Sequence, residues 1–435
     1  MFVTARLVLL AGLGVVPLVL LGTLGVSPWF VLLGWLLLLT ALTVVDVLST
    51  ASPKLLEVTR RLPERARRFE TVEAAIVVRN LGGRRLRGIV RDAWQPTAGA
   101  TPQRAKVDLP PGEARRATFA LLPRRRGALR SEFVMVRSNG PLGLAGRQAR
   151  HAAPGQIIVL PEFRSRRHLP SRLARLRELD GNTSIQVRGQ GTEFDSLREY
   201  VRGDDVRSID WRATARSSTT MLRTWRPERD RHVVILLDTG RTAAARVGDG
   251  TRLDASLEAA LLLGALASQG GDHVHLLMVD RSVRARVTGI DGAPLLAAMS
   301  EAMAPAFPRL IDTDWGSAFA AIRTVTTRPS LVVVLTAQDS IESARGFLGA
   351  LPHPTRSTTV LVAAASDGDL ERLARDTETR EAVYLAAAAE RTIAEATQVA
   401  EAVQRAGGEA LSAEPELLPQ KIADRYLALK AAGRL

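Results

Sequence analysis

Hydrophobic positions fall along this chain in three rhythms, and each predicts a different kind of element. The first rhythm is unbroken. Leu7–Val26 and Trp29–Leu48 are apolar runs in which Asp46 is the one charge. Each run is about 20 residues, enough at ~1.5 Å per residue to cross a hydrocarbon core of about 30 Å. Ser27-Pro28 separates them and reads as a turn. Pro17 and the glycines would break a soluble helix but are tolerated in a bilayer. A secretory signal peptide would show one shorter run and a small-residue cleavage site. Two full-length runs instead predict a transmembrane helical hairpin over residues 1–50.

The second rhythm is short alternation. Between residues 51 and 165 it appears in TVEAAIVVRN, RGIVRDAW, ARRATFALLP, SEFVMVRS and GQIIVLP, with turn chemistry between them at Leu81-Gly82-Gly83 and Pro110-Pro111-Gly112. Such spacing predicts a small antiparallel β-sandwich-like domain. The third rhythm occupies residues 231–407. HVVILLD, HVHLLMVD, SLVVVLT and TTVLVAAA are continuous apolar runs, as in parallel strands covered on both faces. SVRARV reads as a polar-faced strand and EAVYLA as the last strand, while Leu253–Ser268, Ala293–Met303 and Gly316–Thr327 read as helices. The alternation predicts a doubly wound α/β domain with ligands at the carboxyl ends of its strands. Residues 166–185 read as a basic helix opening a linker that runs to residue 230, and residues 408–435 as a C-terminal tail helix. The fold class is multi-domain.

Charge locates the membrane side. The net charge is +14, and residues 51–165 carry all of it, with 23 Lys or Arg against 9 Asp or Glu. Residues 166–435 hold 35 of each. A basic segment beside an apolar hairpin suits anionic headgroups better than nucleic acid. Arg6 precedes the first run and Lys54, Arg60, Arg61, Arg65, Arg67 and Arg68 follow the second, while the turn is uncharged. Both termini are therefore expected in the cytoplasm, on a two-span protein of the cell membrane. Only 4 of the 59 basic residues are lysine, a bias that reflects genome composition more than function. Cysteine is absent, which excludes disulfides, thiolate metal sites and thiol nucleophiles. No Gly-Lys pair, H-E-x-x-H or G-x-S-x-G occurs. His273 and His275 share one strand face and read as structural residues.

The densest chemistry lies in GQGTEFDSLREYVRGDDVRSIDWRATARS. Within Gly189–Arg216, six acids (Glu193, Asp195, Glu199, Asp204, Asp205, Asp210) face five arginines (Arg198, Arg202, Arg207, Arg212, Arg216). Free carboxylates could serve a metal or general acid–base chemistry. With so many arginines beside them, they read better as ion pairs that clamp the linker onto a neighbouring domain.

This stretch resembles the signature of the bacterial domain-of-unknown-function 58 family. The resemblance rests on Gly189, Gly191, Glu193, Phe194, Leu197, Arg198, Tyr200, Gly203, Asp204, Arg207, Ile209, Asp210, Trp211, Thr214, Ala215 and Arg216. The upstream LPRRRGALR and NGPLGLAGR resemble the family as well, and the similarity extends over essentially the whole chain. It implies that the α/β domain is von Willebrand factor A-like and that the partner is a MoxR-type AAA+ ATPase. No reaction is implied, because the family has none assigned.

In von Willebrand A domains a D-x-S-x-S loop after the first strand binds a divalent cation. A threonine from a second loop and an aspartate after the fourth strand complete that site. Here Asp238 and Thr242 are kept, Gly240 replaces the middle serine, and Thr313 is the candidate from the second loop, with Asp312 and Asp314 beside it. Thr336-Ala337 stands where Thr-Asp or Ser-Asp would be expected, and Asp339 comes two residues late. Hard oxygen ligands suit Mg²⁺, but one carboxylate and two hydroxyls make a degenerate site, expected to bind the ion weakly or not at all and to serve instead as a docking rim. The expected function is that of a membrane-anchored adaptor, not an enzyme, with no small-molecule substrate. A metal-dependent hydrolase using the motif carboxylates is the alternative.

Overall fold

The computed structural model describes residues 1–186, 193–202, 204–226 and 231–435. They form two compact units, Met1–Leu160 and Pro161–Leu435. The first unit opens with a short strand, β1 (Phe2–Val3), then helices α1 (Ala5–Leu13), α2 (Val15–Thr23) and α3 (Pro28–Ser49). The first apolar run is thus two short helices meeting at Gly14, not one. A Cβ on Gly14 would lie 2.4 Å from Trp35 Nε1, so the glycine lets α3 approach. Two apolar stretches, Ala5–Thr23 and Pro28–Ser49, are long and apolar enough to cross a membrane.

Eight more strands follow: β2 (Leu56–Arg61), β3 (Arg65–Arg67), β4 (Val72–Asn80), β5 (Leu86–Asp92), β6 (Ala105–Leu109), β7 (Ala114–Leu121), β8 (Gly127–Asn139) and β9 (Ala145–Leu160). One antiparallel sheet has the order β2-β4-β7, and the other β1-β9-β8-β5-β6 with β3 pairing on β9. Alternating positions of both sheets meet in one core, where Ile76 and Phe119 from the first face Leu86, Val136 and Ile157 from the second. Each such side chain contributes about 1.5–3 kcal/mol by leaving water. An ion pair crosses this core. Arg60 of β2 lies 2.7 Å from Asp92 of β5, both side chains almost fully buried. Asp92 also accepts from Ser131 Oγ at 2.9 Å and Trp94 Nε1 at 2.6 Å. Burial pushes the Asp92 carboxyl up and the Arg60 guanidinium down from their ordinary values.

The turn between β8 and β9 grips the apolar helices. Asp46, fully buried near the end of α3, accepts from the backbone N–H groups of Leu142 (2.7 Å), Leu144 (2.8 Å) and Ala145 (2.9 Å). Thr4, just before α1, donates its hydroxyl to Gly143 O at 2.6 Å. This turn is the NGPLGLAGR stretch whose role the sequence alone left open.

The second unit begins with α4 (Leu169–Gln186), then β10 (Glu193–Glu199), α5 (Trp211–Thr214) and β11 (Met221–Arg226). Its main sheet comprises β12 (His232–Asp238), β15 (His273–Val279), β16 (Val283–Val287), β17 (Leu331–Leu335), β18 (Thr359–Ala365) and β19 (Glu409–Ala413). The minor hairpin β13 (Arg246–Val247) and β14 (Gly250–Thr251) follows β12. Sheet order is β16-β15-β12-β17-β18-β19, parallel except for the edge strand β16. Helices α6 (Arg252–Gln269) and α7 (Ala293–Met303) cover one face. Helices α8 (Trp315–Ile322), α9 (Arg345–Ala350) and α12 (Arg380–Arg405) cover the other; α10 (Pro352–Thr355) and α11 (Gly368–Arg375) are short connecting helices. Alternate residues of β12 serve the two cores, Val233, Ile235 and Leu237 in one and Val234 and Leu236 in the other.

Three expectations are corrected. EAVYLA lies inside α12, where Thr379 caps the helix by accepting from Ala382 N at 3.1 Å and the alanine-rich continuation favours helix. The last strand is β19 instead. Residues 408–435 are no separate tail: β19 joins the sheet, and α13 (Leu418–Ala431) puts Tyr426 and Leu427 into its core. Tyr426 also donates to buried Asp272 at 2.5 Å. Finally, α4 belongs to the α/β unit, burying Leu176 in that core and pairing Arg172 with Asp424 at 2.8 Å.

Candidate functional site

Strand β12 lies at the centre of its sheet, between β15 and β17, where the strand order reverses. In open α/β sheets the crevice beyond the carboxyl ends of such strands is where ligands bind. Asp238 ends β12 there and is 2% exposed. Its Oδ1 accepts from Gly240 N at 2.8 Å and from Thr313 Oγ1 at 2.6 Å. Its Oδ2 accepts from Thr242 Oγ1 at 3.0 Å and Thr336 Oγ1 at 2.7 Å. The structure thus brings Asp238, Thr242 and Thr313 together and adds Thr336, the hydroxyl of a pair whose acid is replaced by Ala337. Gln338 Nε2 donates to Thr336 Oγ1 at 3.0 Å, extending the network.

Gly240 is explained by space. A Cβ there would lie 2.4 Å from Thr313 Oγ1, 2.9 Å from the Ile311 carbonyl oxygen and 3.0 Å from Asp238 Oδ1. The volume a serine would take is filled by the Thr313 hydroxyl, bonded directly to the aspartate. The nearby acids are engaged elsewhere. Asp312 pairs with Arg241 at 3.1 Å, and Asp339 with Arg252 at 2.5 Å. Asp314 caps α8, and the Ser317 hydroxyl and N–H bonded to it hold its carboxyl below the usual range. One carboxylate and three hydroxyls are oxygen donors of the kind Mg²⁺ takes, but every hydroxyl here already points its proton at Asp238. Among the described residues, no group of three or more His, Cys, Asp or Glu side chains is arranged to hold a metal ion.

The charged motif forms a second feature. Strands β10 and β11 pair as an antiparallel ladder, with Glu193 opposite Arg226 and Phe194 opposite Trp225. Gly189, Gly191 and Gly203 lie outside the described residues. Arg198 clasps Asp204 through two bonds of 2.7 Å, which holds the guanidinium more basic than usual. Asp210 caps α5, accepting from Arg212 N and Ala213 N, and pairs with Arg223 Nε at 2.7 Å. The Ala213 N–H first, and Arg223 second, lower its pKa. Asp205 accepts from Arg207 N at 3.0 Å, and Tyr200 N donates to Thr220 O at 2.8 Å. Both described ion pairs of this segment join its own residues to each other, because the hairpin folds its nearby acids and arginines together. That differs from the expected clamp onto a neighbouring domain. Trp211 is 69% exposed, and Val201, Val206, Arg207 and Arg216 are exposed around it.

His273 and His275 meet a third histidine that the sequence reading missed. His232 stands opposite His273 in the parallel register and lies 2.9 Å, Nδ1 to Nε2, from His275. Burial, then His232 and His273, lowers the His275 pKa. The signal was legible: HVVILLD and HVHLLMVD begin alike, so adjacent strands align their first residues.

Residues 196–363 match the family described as protein of unknown function DUF58. The chain therefore carries a domain of the domain-of-unknown-function 58 family, as its motif suggested. The matched segment begins after Gly189, Gly191, Glu193 and Phe194 and ends within β18. Uncharacterized proteins of Mycobacterium bovis and Mycobacterium tuberculosis are 26% identical over 160 residues, covering 36% of this chain and 50% of theirs. The chain spans about half the length of the curated relatives it matches. Among solved structures, the CARDB domain of a Pyrococcus furiosus protein, in complex with di-metal ions, aligns with 26% of this chain and 92% of its own at 20% identity and a TM-score of 0.20. A Porphyromonas gingivalis protein of unknown function covers 25% of this chain and 49% of its own at 15% identity and 0.19. Likenesses at these scores carry no argument about fold or function.

Proposed function

We propose that the chain is a membrane-anchored docking protein. Its two apolar helices span the cell membrane with both termini in the cytoplasm. Its paired sheets form a β-sandwich, and its second unit is a von Willebrand factor A-like domain that presents the rim around Asp238 to a protein partner. Sheet order supports the last assignment, since a central first strand and an antiparallel third strand at the edge suit that architecture. The observation that carries the docking reading is the saturation of Asp238 by four donors, which leaves a polar, preorganised rim in which Asp238 itself is not free to act as an acid or base. The engaged motif carboxylates, Asp204 and Asp210, support docking over hydrolysis in the same way. The family resemblance points to a MoxR-type AAA+ ATPase as the partner.

The test is direct binding. The full chain in detergent is immobilised and titrated with a MoxR-type ATPase of the same organism, with and without ATP. Saturable binding that weakens at least tenfold in Thr313→Ala or Asp238→Asn supports the proposal. Binding that ignores both variants moves the docking face elsewhere, and no binding to the ATPase removes that partner. A reporter active only outside the cytoplasm, fused after Leu435, should stay silent.

A further inference from the structure

We propose that the helix-proximal end of the first unit is a lipid-binding collar, seated in the headgroup layer of the membrane and selective for anionic lipid. The proposal rests on the membrane-anchored reading above and goes further, because it makes the β domain itself a bilayer-contacting surface. Depth comes from helix geometry. Asp46 lies eighteen residues after Pro28 in α3, about 27 Å along the axis at 1.5 Å per residue. A hydrocarbon core is about 30 Å thick. The carboxylate of Asp46, and the β8–β9 turn that binds it through three N–H groups, therefore lie where hydrocarbon gives way to headgroups. A buried acid at that depth requires such partners, since water cannot serve it there.

What the turn shows to its surroundings is apolar. Leu142, the first residue to bond Asp46, is 46% exposed. Beside the end of α3, Arg84 Nη1 donates to Leu48 O at 2.8 Å and so fixes the β4–β5 turn against the helix. That turn presents Leu81, 63% exposed, whose N–H donates to the carbonyl of Leu55, itself 53% exposed. Three leucines on turns tied to one helix end would be a liability in water. At the acyl–headgroup boundary they are the residues expected. Cations sit among them: Arg6 lies over Gly143, and Lys54 and Arg84 flank Leu55 and Leu81, all three exposed. Such long side chains lay their stems along apolar surface and hold their charge at lipid phosphate. The apolar and basic residues thus occupy the same loops, and those loops are fixed to the membrane helices by hydrogen bonds. A bilayer carrying acidic lipid satisfies both.

The chain has no cysteine, so single-cysteine variants label cleanly. Leu142→Cys and Leu81→Cys probe the collar. Glu70→Cys serves as the control, because Glu70 is exposed beyond the far end of β4 and about 30 Å from Leu81 at 3.4 Å per residue. The full chain, carrying an environment-sensitive fluorophore, is reconstituted in vesicles of phosphatidylcholine with phosphatidylglycerol. Labels at 142 and 81 should be quenched several-fold more than the label at 70 by nitroxide lipids, and several-fold less by aqueous iodide. Replacing phosphatidylglycerol with phosphatidylcholine should reduce lipid quenching at 81. Equal quenching at all three positions overturns the collar, and indifference to phosphatidylglycerol overturns its charge selectivity. An alkaline carbonate wash separates the two readings. A chain stripped from the vesicles overturns anchoring and collar together. A retained chain whose labels at 142 and 81 stay open to iodide overturns the collar alone.

Discussion

Replacing Asp238 with alanine removes one acceptor that serves four donors, and the structure sets the size of the loss. The bonds from Thr242 and Thr313 reach the half-buried rim, where water can replace the carboxylate. The bonds from Gly240 N and Thr336 Oγ1 are buried. Stranding a buried donor costs about 1–3 kcal/mol, so two of them bring the expected loss to about 2–6 kcal/mol. In a domain of this size each kcal/mol lowers Tm by about 2–4 °C, which predicts a drop of at least about 4 °C. Asparagine should recover most of it. Its oxygen still accepts from Gly240 and Thr313, and the hydroxyls of Thr242 and Thr336 can turn to accept from its amide. The assay is the thermal melt of the full chain in detergent, followed by near-UV dichroism. The same melt with added Mg²⁺ tests the metal directly, since a ligand that binds the folded state raises Tm. A self-satisfied cluster predicts no rise. An Asp238→Ala protein melting within about a degree of wild type, or a wild-type Tm that climbs with Mg²⁺ only while Asp238 is present, would refute this account of the cluster.

Three further outcomes follow from single residues. Asp92→Ala leaves the Arg60 guanidinium buried without its partner and should destabilise the first unit by about 3–5 kcal/mol, whereas the double change Arg60→Met, Asp92→Leu should recover most of that in a urea titration. The lowered pKa of His275 means that the unfolded chain takes up a proton before the folded one does. Stability should therefore fall as pH drops below the ordinary value of 6.5 and toward the folded value, and His275→Leu should flatten that part of the Tm-versus-pH curve. Asp46→Asn sets an amide donor against at least one of the N–H groups of Leu142, Leu144 and Ala145, and limited proteolysis should then cut the β8–β9 turn faster than in the wild type.

The residues that were legible in the sequence are those whose environment is dictated locally. Runs such as HVVILLD and SLVVVLT announce buried parallel strands because both of their faces must be apolar. Asp238 and Thr242 are four positions apart on one loop, so their meeting needed only the strand end. Thr336 was hidden because its role depends on β17 lying beside β12, a fact of sheet order and not of spacing. The same holds for His232, which joins His273 and His275 only across the parallel register. Residues EAVYLA misled because their alternation is compatible with a strand until the alanines after them are counted with the Thr379 cap. Asp46 looked like the mere end of an apolar run, since its three partners lie about a hundred positions away in the chain. Of the five motif arginines, Arg198 pairs with a motif carboxylate, while Asp210 takes Arg223 from beyond the motif, a choice that depended on how the β10–β11 hairpin closes.

The missing side chain at Gly240 imposes an order on any change at the rim. Because a Cβ there would meet the Thr313 hydroxyl at 2.4 Å, Gly240→Ser on its own is blocked by a group already bonded to Asp238. Thr313→Ala on its own removes a bond and the nearest contact, but the Ile311 carbonyl oxygen, 2.9 Å from that Cβ, remains. A serine is therefore less costly together with the loss of the threonine than without it, and the cost of the pair should be smaller than the sum of its parts. The two positions are therefore coupled, and the same serine costs more in one background than in the other.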